Sequence, residues 1–177
     1  MAVHHAVLDW GVGDLRSDIR IALVVADFNS EITHQICALN LAYLEEQWFT
    51  FVDVYHVPGA FELPGMSKEL LDKWVYNLII VLGCVIKGQT PHFDYICAEC
   101  SRGMMQLSMN YDTPLIFGVL TCLTLEQAKA RIDTNYAIYG LNYLISWTRA
   151  HEQLDMRYEE LLEIGKGKGN CGAGIGK

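Results

Sequence analysis

Four short strand-like runs recur along the chain, each followed by a polar turn and then by a segment with helical spacing. The first is Ile21-Ala22-Leu23-Val24-Val25, inside a β-rich stretch from Ile19 to Ala26. Phe49 to Val57 is the second and is closed by Pro58-Gly59; Leu78 to Leu82 is the third and Leu115 to Leu120 the fourth. Leu78 to Leu82, too short to cross a membrane, reads as a strand buried on both faces, and Ile21 to Val25 as a first buried strand; the other two runs are also predicted as strands. Between them lie helical segments. Ser30, as N-cap, opens a helix to about Gln47 whose apolar positions Ile32, Ile36, Leu39, Tyr43 and Leu44 share one face. Further helices are predicted from about Leu63 to Trp74 and from Thr90 to about Tyr111, the latter broken by Asn110-Tyr111-Asp112-Thr113-Pro114. Thr124-Leu125-Glu126-Gln127 reads as a capping box opening a helix that includes Arg131, and a final helix spans about Tyr136 to Ile164.

Strands that alternate with helices and have apolar interiors predict an α/β protein. The expected fold is a three-layer α/β/α sandwich, flavodoxin-like, with a mainly four-stranded parallel sheet. The expected organisation is an N-terminal arm over residues 1–18, one domain over 19–164, and a flexible Gly/Lys-rich tail over 165–177 that cannot bury apolar area. In such sheets ligands bind at the carboxyl ends of the strands. That rule gathers Asp27-Phe28-Asn29, Gly59-Ala60-Phe61-Glu62, the Lys87 to His92 stretch and Thr121-Cys122 along one edge.

The third of these turns carries the most chemistry. Gly83-Cys84-Val85-Ile86-Lys87-Gly88-Gln89-Thr90-Pro91-His92 leads from a strand into a helix. Glycines there allow a tight turn, and the first N–H groups of the following helix have no partners within it, so the segment suits an anion. It is not a Walker loop, since Gly88 is followed by Gln89-Thr90 and not by Lys and a hydroxyl residue. His92 at the helix start could move protons beside a bound anion; read by spacing alone, the segment is equally an ordinary strand-to-helix turn with a solvated histidine.

Composition narrows the classes. The 177 residues carry a formal charge of −8, with 51% hydrophobic residues, which suits one domain with a sizeable core and disfavours a nucleic-acid footprint. No apolar stretch approaches the ~20 residues of a membrane span, and Met1-Ala2-Val3-His4-His5 lacks the form of a secretory signal. Six cysteines lie mostly in apolar or helical surroundings, which predicts reduced thiols in a cytoplasmic compartment. Cys97-Ala98-Glu99-Cys100 has redox or zinc spacing but sits mid-helix with no second ligand pair, so it is assigned to packing.

The four turns together resemble the lumazine synthases, the penultimate enzymes of riboflavin biosynthesis. The resemblance is carried by Asp27-Phe28-Asn29, by Val57-Pro58-Gly59-Ala60-Phe61-Glu62-Leu63-Pro64, by Gly83 to Tyr95 and by Ser101-Arg102-Gly103-Met104-Met105-Gln106. Pro114 to Thr121, Glu126-Gln127-Ala128 and Arg131 complete it, so that it runs from about Ile19 to Arg131. It implies condensation of 5-amino-6-(D-ribitylamino)uracil with 3,4-dihydroxy-2-butanone 4-phosphate to 6,7-dimethyl-8-ribityllumazine, phosphate and water. By the same resemblance Phe28, with Asn29 beside it, stacks on the pyrimidine, and Ala60, Phe61 and Glu62 line the ribityl chain. Cys84, Val85 and Ile86 present backbone to the uracil edge; Gln89, Thr90 and Arg131 hold the phosphate; His92 is the acid/base. Phe117 closes over the ring from a neighbouring subunit, which implies a homo-oligomer, most simply a pentamer, with riboflavin synthase as a further partner. No metal, organic cofactor, nucleic acid or membrane is implied. Asp27 stands where that family mostly carries Arg, and Asn135-Tyr136-Ala137 replaces its Asn-Lys-Gly or Asn-His-Gly phrase. The rival readings are a non-catalytic flavin or lumazine-binding protein on the same scaffold, which would not need Thr90, His92 and Arg131, and a nucleotide-binding flavodoxin-like domain, which would want a denser Gly/Ser/Thr loop after the first strand.

Overall fold

The computed structural model of the chain describes residues 19–132. The expected arm, the final helix from Tyr136 to Ile164 and the tail lie outside the described residues. Four strands, β1 (Arg20–Ala26), β2 (Phe51–Val57), β3 (Leu78–Ile86) and β4 (Leu115–Cys122), form one sheet in the order β2-β1-β3-β4, every pair parallel. Helices α1 (Ser30–Glu46), α2 (Leu63–Leu71), α3 (His92–Asn110) and α4 (Leu125–Lys129) connect or follow them, with a 3₁₀ turn over Ala60–Glu62 before α2. Parallel pairing explains why β1 and β3 read as unbroken apolar runs. Ala22, Val24, Ala26, Ile79, Val81 and Val119 pack with Leu70, Leu71, Cys100 and Met104 of α2 and α3. The alternate residues Ile21, Leu23, Val25 and Leu82 are equally buried, and strand alternation turns them to the opposite face, where α1 packs through Ile32, Ile36 and Leu44.

The expected α/β architecture with a four-stranded parallel sheet is therefore present, but several boundaries move for local reasons. β3 is four residues longer than its apolar core suggests, and Gly83 lies inside it, not in a turn. Gly83 to Ile86 pair with Val119 to Cys122 of β4, which is likewise extended past Leu120. Gly83 serves close packing there: a Cβ would stand 3.2 Å from Leu63 Cδ1 and 3.3 Å from Val119 Cγ1. Across the same pair of strands Gly118 is tighter still, since its Cβ would meet the Val81 carbonyl oxygen at 2.7 Å.

The N-cap of α1 is Asn29, not Ser30; Asn29 sits in the left-handed region (φ 60°, ψ 45°) and its side chain makes no capping bond. β2 begins at Phe51 and not at Phe49, because Phe49 belongs to the end of α1. The Phe49 N–H donates to the Leu44 carbonyl and the Trp48 N–H to the Glu45 carbonyl, while Trp48 takes a left-handed φ of 67°. That is a Schellman ending, with buried Phe49 and Leu44 as its apolar pair, built on Trp where glycine is usual. α2 stops at Leu71, short of Trp74, which is also left-handed (φ 55°). α3 starts at His92, not Thr90, because Pro91 occupies the N-cap and biases the residue before it away from helical backbone. α4 ends at Lys129, so Arg131 lies beyond the helix that was expected to contain it. Its capping box holds in altered form: the Thr124 hydroxyl accepts from the Gln127 N–H (3.3 Å), and the Gln127 side-chain carbonyl accepts from the N–H of Leu123 (2.8 Å).

Candidate active site at the carboxyl edge of the sheet

Because the strand order reverses between β1 and β3, the exits of these two strands flank a topological switch point, where open parallel sheets bind ligands. The four exits are tied together by hydrogen bonds. Asp27 N–H donates to the Val57 carbonyl (2.8 Å) and Phe28 N–H to the Pro58 carbonyl (3.0 Å), joining the exits of β1 and β2. The Asn29 side-chain amide donates to the Cys84 carbonyl at 2.8 Å, joining β1 to β3 across the switch point. Lys87 N–H donates to the Cys122 carbonyl at 2.9 Å, joining β3 to β4. The left-handed backbone of Asn29 and its lack of a capping bond go together with this cross-link, since its amide is used between strands and not on α1.

On this frame the site residues fall into two groups. Phe28 and Phe61, on neighbouring turns, are 71% and 56% exposed and so offer aromatic side chains to a planar ligand. Ala60 is buried and begins the 3₁₀ turn, while the exposed Glu62 precedes α2. Cys84 is buried, so its backbone and not its thiol borders the site; burial, helped by Cys122, pushes that thiol up to about 11, protonated at neutral pH. Val85 and Ile86 are half-buried, and the exposed Gln89 and Thr90 lead to His92 at the start of the 19-residue α3. The unpaired N–H groups and dipole of that helix start favour an anion beside the turn. Lys87 adds a positive charge there, with its Nζ 5.9 Å above the Phe93 ring.

The second group is Arg131 and Phe117. Lys129, two residues before Arg131, pairs with Glu31 in the first turn of α1 at 2.7 Å, which keeps the end of α4 beside the exit of β1. Phe117 pairs in register with Val81, five residues before the end of β4, and is 43% exposed. At about 3.3 Å per residue it stands ~16 Å back from the edge residues of its own chain.

The structure also assembles a cluster that sequence reasoning missed. Asp27 Oδ1 lies 2.7 Å from His56 Nδ1 and 3.2 Å from His34 Nε2, and the two imidazoles meet edge to face at 5.6 Å between centroids. The bond from His56, and after it the bond from His34, holds the Asp27 carboxyl below its ordinary value. His56 pairs in register with Val25 on the α1 face of the sheet, and His34 lies one turn into α1. An Asp just after β1 and a His near the end of β2 were the available signals, but they meet only once β1 and β2 are known to be neighbours.

A parallel sheet with its switch point cross-linked and aromatic, histidine and hydroxyl residues along that edge defines an α/β protein of the class in which open parallel sheets take ligands at their strand ends. The family model for 6,7-dimethyl-8-ribityllumazine synthase matches residues 18–151. The 6,7-dimethyl-8-ribityllumazine synthase of Limosilactobacillus reuteri is 47% identical over 111 residues, covering 63% of this chain and 73% of the relative. Proteins of the same name from Desulfosudis oleivorans and Prochlorococcus marinus are 40% identical over 127 residues and 37% over 146; these cover 71% and 79% of this chain, and 81% and 88% of the relatives. The chain belongs to the 6,7-dimethyl-8-ribityllumazine synthase family, enzymes of riboflavin biosynthesis. Among the described residues no helix is long and apolar enough to cross a membrane.

Proposed function

We propose that this chain condenses 5-amino-6-(D-ribitylamino)uracil with 3,4-dihydroxy-2-butanone 4-phosphate, releasing 6,7-dimethyl-8-ribityllumazine, phosphate and water. The observation that carries this reading is the stitched edge, where the Asn29–Cys84 bond locks the Phe28 turn beside the β3–α3 turn. Phe28 stacks on the pyrimidine, with Asn29 fixing the turn beneath it. Ala60, Phe61 and Glu62 line the ribityl chain, Glu62 accepting from its hydroxyls. The backbone of Cys84, Val85 and Ile86 meets the uracil edge, and Gln89, Thr90 and Arg131 hold the phosphate, Arg131 as a rigid cationic fork.

The amine attacks the ketone and a first water leaves, phosphate is eliminated, and the ribityl-bearing nitrogen closes the ring on the remaining carbonyl with loss of a second water. Each step moves a proton near neutral pH, which is the work assigned to His92. Orientation supplies most of the rate, since two substrates must be held amine to carbonyl. Phe117 completes the ring-stacking site of a neighbouring subunit, which its distance from its own edge supports; the assembly is a homo-oligomer, in the simplest form a pentamer. The enzyme acts in the cytoplasm, and riboflavin synthase is the partner that takes its product.

Complementation tests this reading. A riboflavin auxotroph lacking its own lumazine synthase should grow without riboflavin when it expresses this chain, and should fail to do so with the Phe28→Ala/Arg131→Ala double variant. Soluble wild-type expression without growth would overturn the proposal.

A further inference from the structure

We propose that Asp27, His34 and His56 form a binding site for a divalent transition-metal ion of the zinc class, clamping the start of α1 to the end of β2. The three side chains each offer one ligand atom, and those atoms all lie within 4.8 Å of one another. A tetrahedral ion with nitrogen and oxygen ligands at about 2.0–2.2 Å needs ligand atoms about 3.4 Å apart. The Asp27–His34 separation of 3.2 Å already nearly meets this, and the Asp27–His56 separation of 2.7 Å needs only a small opening. All three side chains are about half exposed, at 49%, 54% and 48%, so an ion can enter without unfolding and its remaining position would face water.

The donor set favours this class of ion over calcium or magnesium. Two imidazoles and one carboxylate suit zinc, nickel or cobalt, whereas the hard cations take oxygen ligands. One ligand comes from a helix, one from a strand and one from the turn between β1 and α1, so the two histidines are fixed on regular elements. The Asp27 and Phe28 N–H groups donate to the Val57 and Pro58 carbonyls, so the ion would brace a junction the backbone already joins. Since the proposed condensation assigns no step to this cluster, the inference stands apart from that reaction.

Zinc chloride titrated into the full-length, metal-free protein at pH 7.5 by calorimetry tests the inference. One equivalent is expected to bind and to raise the melting temperature. His34→Gln and His56→Gln should each weaken that equivalent by about tenfold or more, since even an outer-shell partner of a metal is worth about 10–100-fold. The chain holds six histidines, including His4 and His5, so binding at other histidines must be distinguished. Cobalt(II) added to the wild-type protein should broaden the imidazole signals of His34 and His56 first, a readout that needs no variant. An equivalent that survives both substitutions, broadening centred on other histidines, or the absence of zinc binding at millimolar concentration would each overturn the site.

Discussion

The side-chain amide of Asn29 donates to the main-chain carbonyl of Cys84 at 2.8 Å, although 55 residues separate them. This bond crosses the switch point of the sheet and fixes the Phe28 turn against the β3 exit. Asn29→Ala removes it and leaves an alanine in left-handed backbone, so stability should fall by about 1–3 kcal/mol in urea denaturation. Asn29→Gly relieves the backbone but not the lost amide. It should recover only part of that stability, and KM for the uracil substrate should remain raised.

Arg131→Ala should raise KM for the butanone phosphate far more than KM for the uracil, because Arg131 is assigned to phosphate alone. A charge-assisted contact worth roughly 1.5–3 kcal/mol corresponds to about tenfold or more. Steady-state kinetics with each substrate varied in turn separates the two constants. Equal loss against both, with the fold intact, would remove Arg131 from the phosphate site.

His92→Ala should instead lower kcat, by up to about a hundredfold, with ligand affinity largely kept. Residual turnover is expected because bound substrates remain oriented and the chemistry proceeds slowly unaided. Full turnover in this variant would reduce His92 to a helix-start residue.

The Asp27 carboxyl is held below its ordinary value by its bonds to His56 and His34, which fixes the sign of a pH effect. A carboxyl depressed in the folded state contributes stability above its unfolded value, near pH 4, and loses it as pH falls through the lower folded value. Asp27→Asn lacks this contribution. The gap in melting temperature between wild type and variant should therefore be open at pH 5–6 and close toward pH 3. A gap that widened on acidification would contradict the assignment.

Much of the fold was legible because β1 and β3 are buried on both faces and so carry continuous apolar runs. The edges were less so. Gly83 looks like a breaker in one dimension but fits the strand because Leu63 and Val119 crowd the place a side chain would take. Trp48 ends a helix in the backbone region that glycine usually fills, so no residue type announced the Schellman turn. In the site, Phe28, Glu62 and His92 could be gathered on one edge from the carboxyl-end rule alone. The Asn29–Cys84 bond and the Asp27–His34–His56 cluster depend on which strands are neighbours, which hydrophobic patterning does not encode.

The most direct measurement mixes the purified protein with the ribitylaminouracil and the butanone phosphate in EDTA, following product absorbance and phosphate release together. Both signals should rise at one rate, well above the uncatalysed background, with one phosphate per lumazine formed. A rate equal to that background from the folded protein would contradict the proposed condensation and leave a protein that binds such ligands without turning them over.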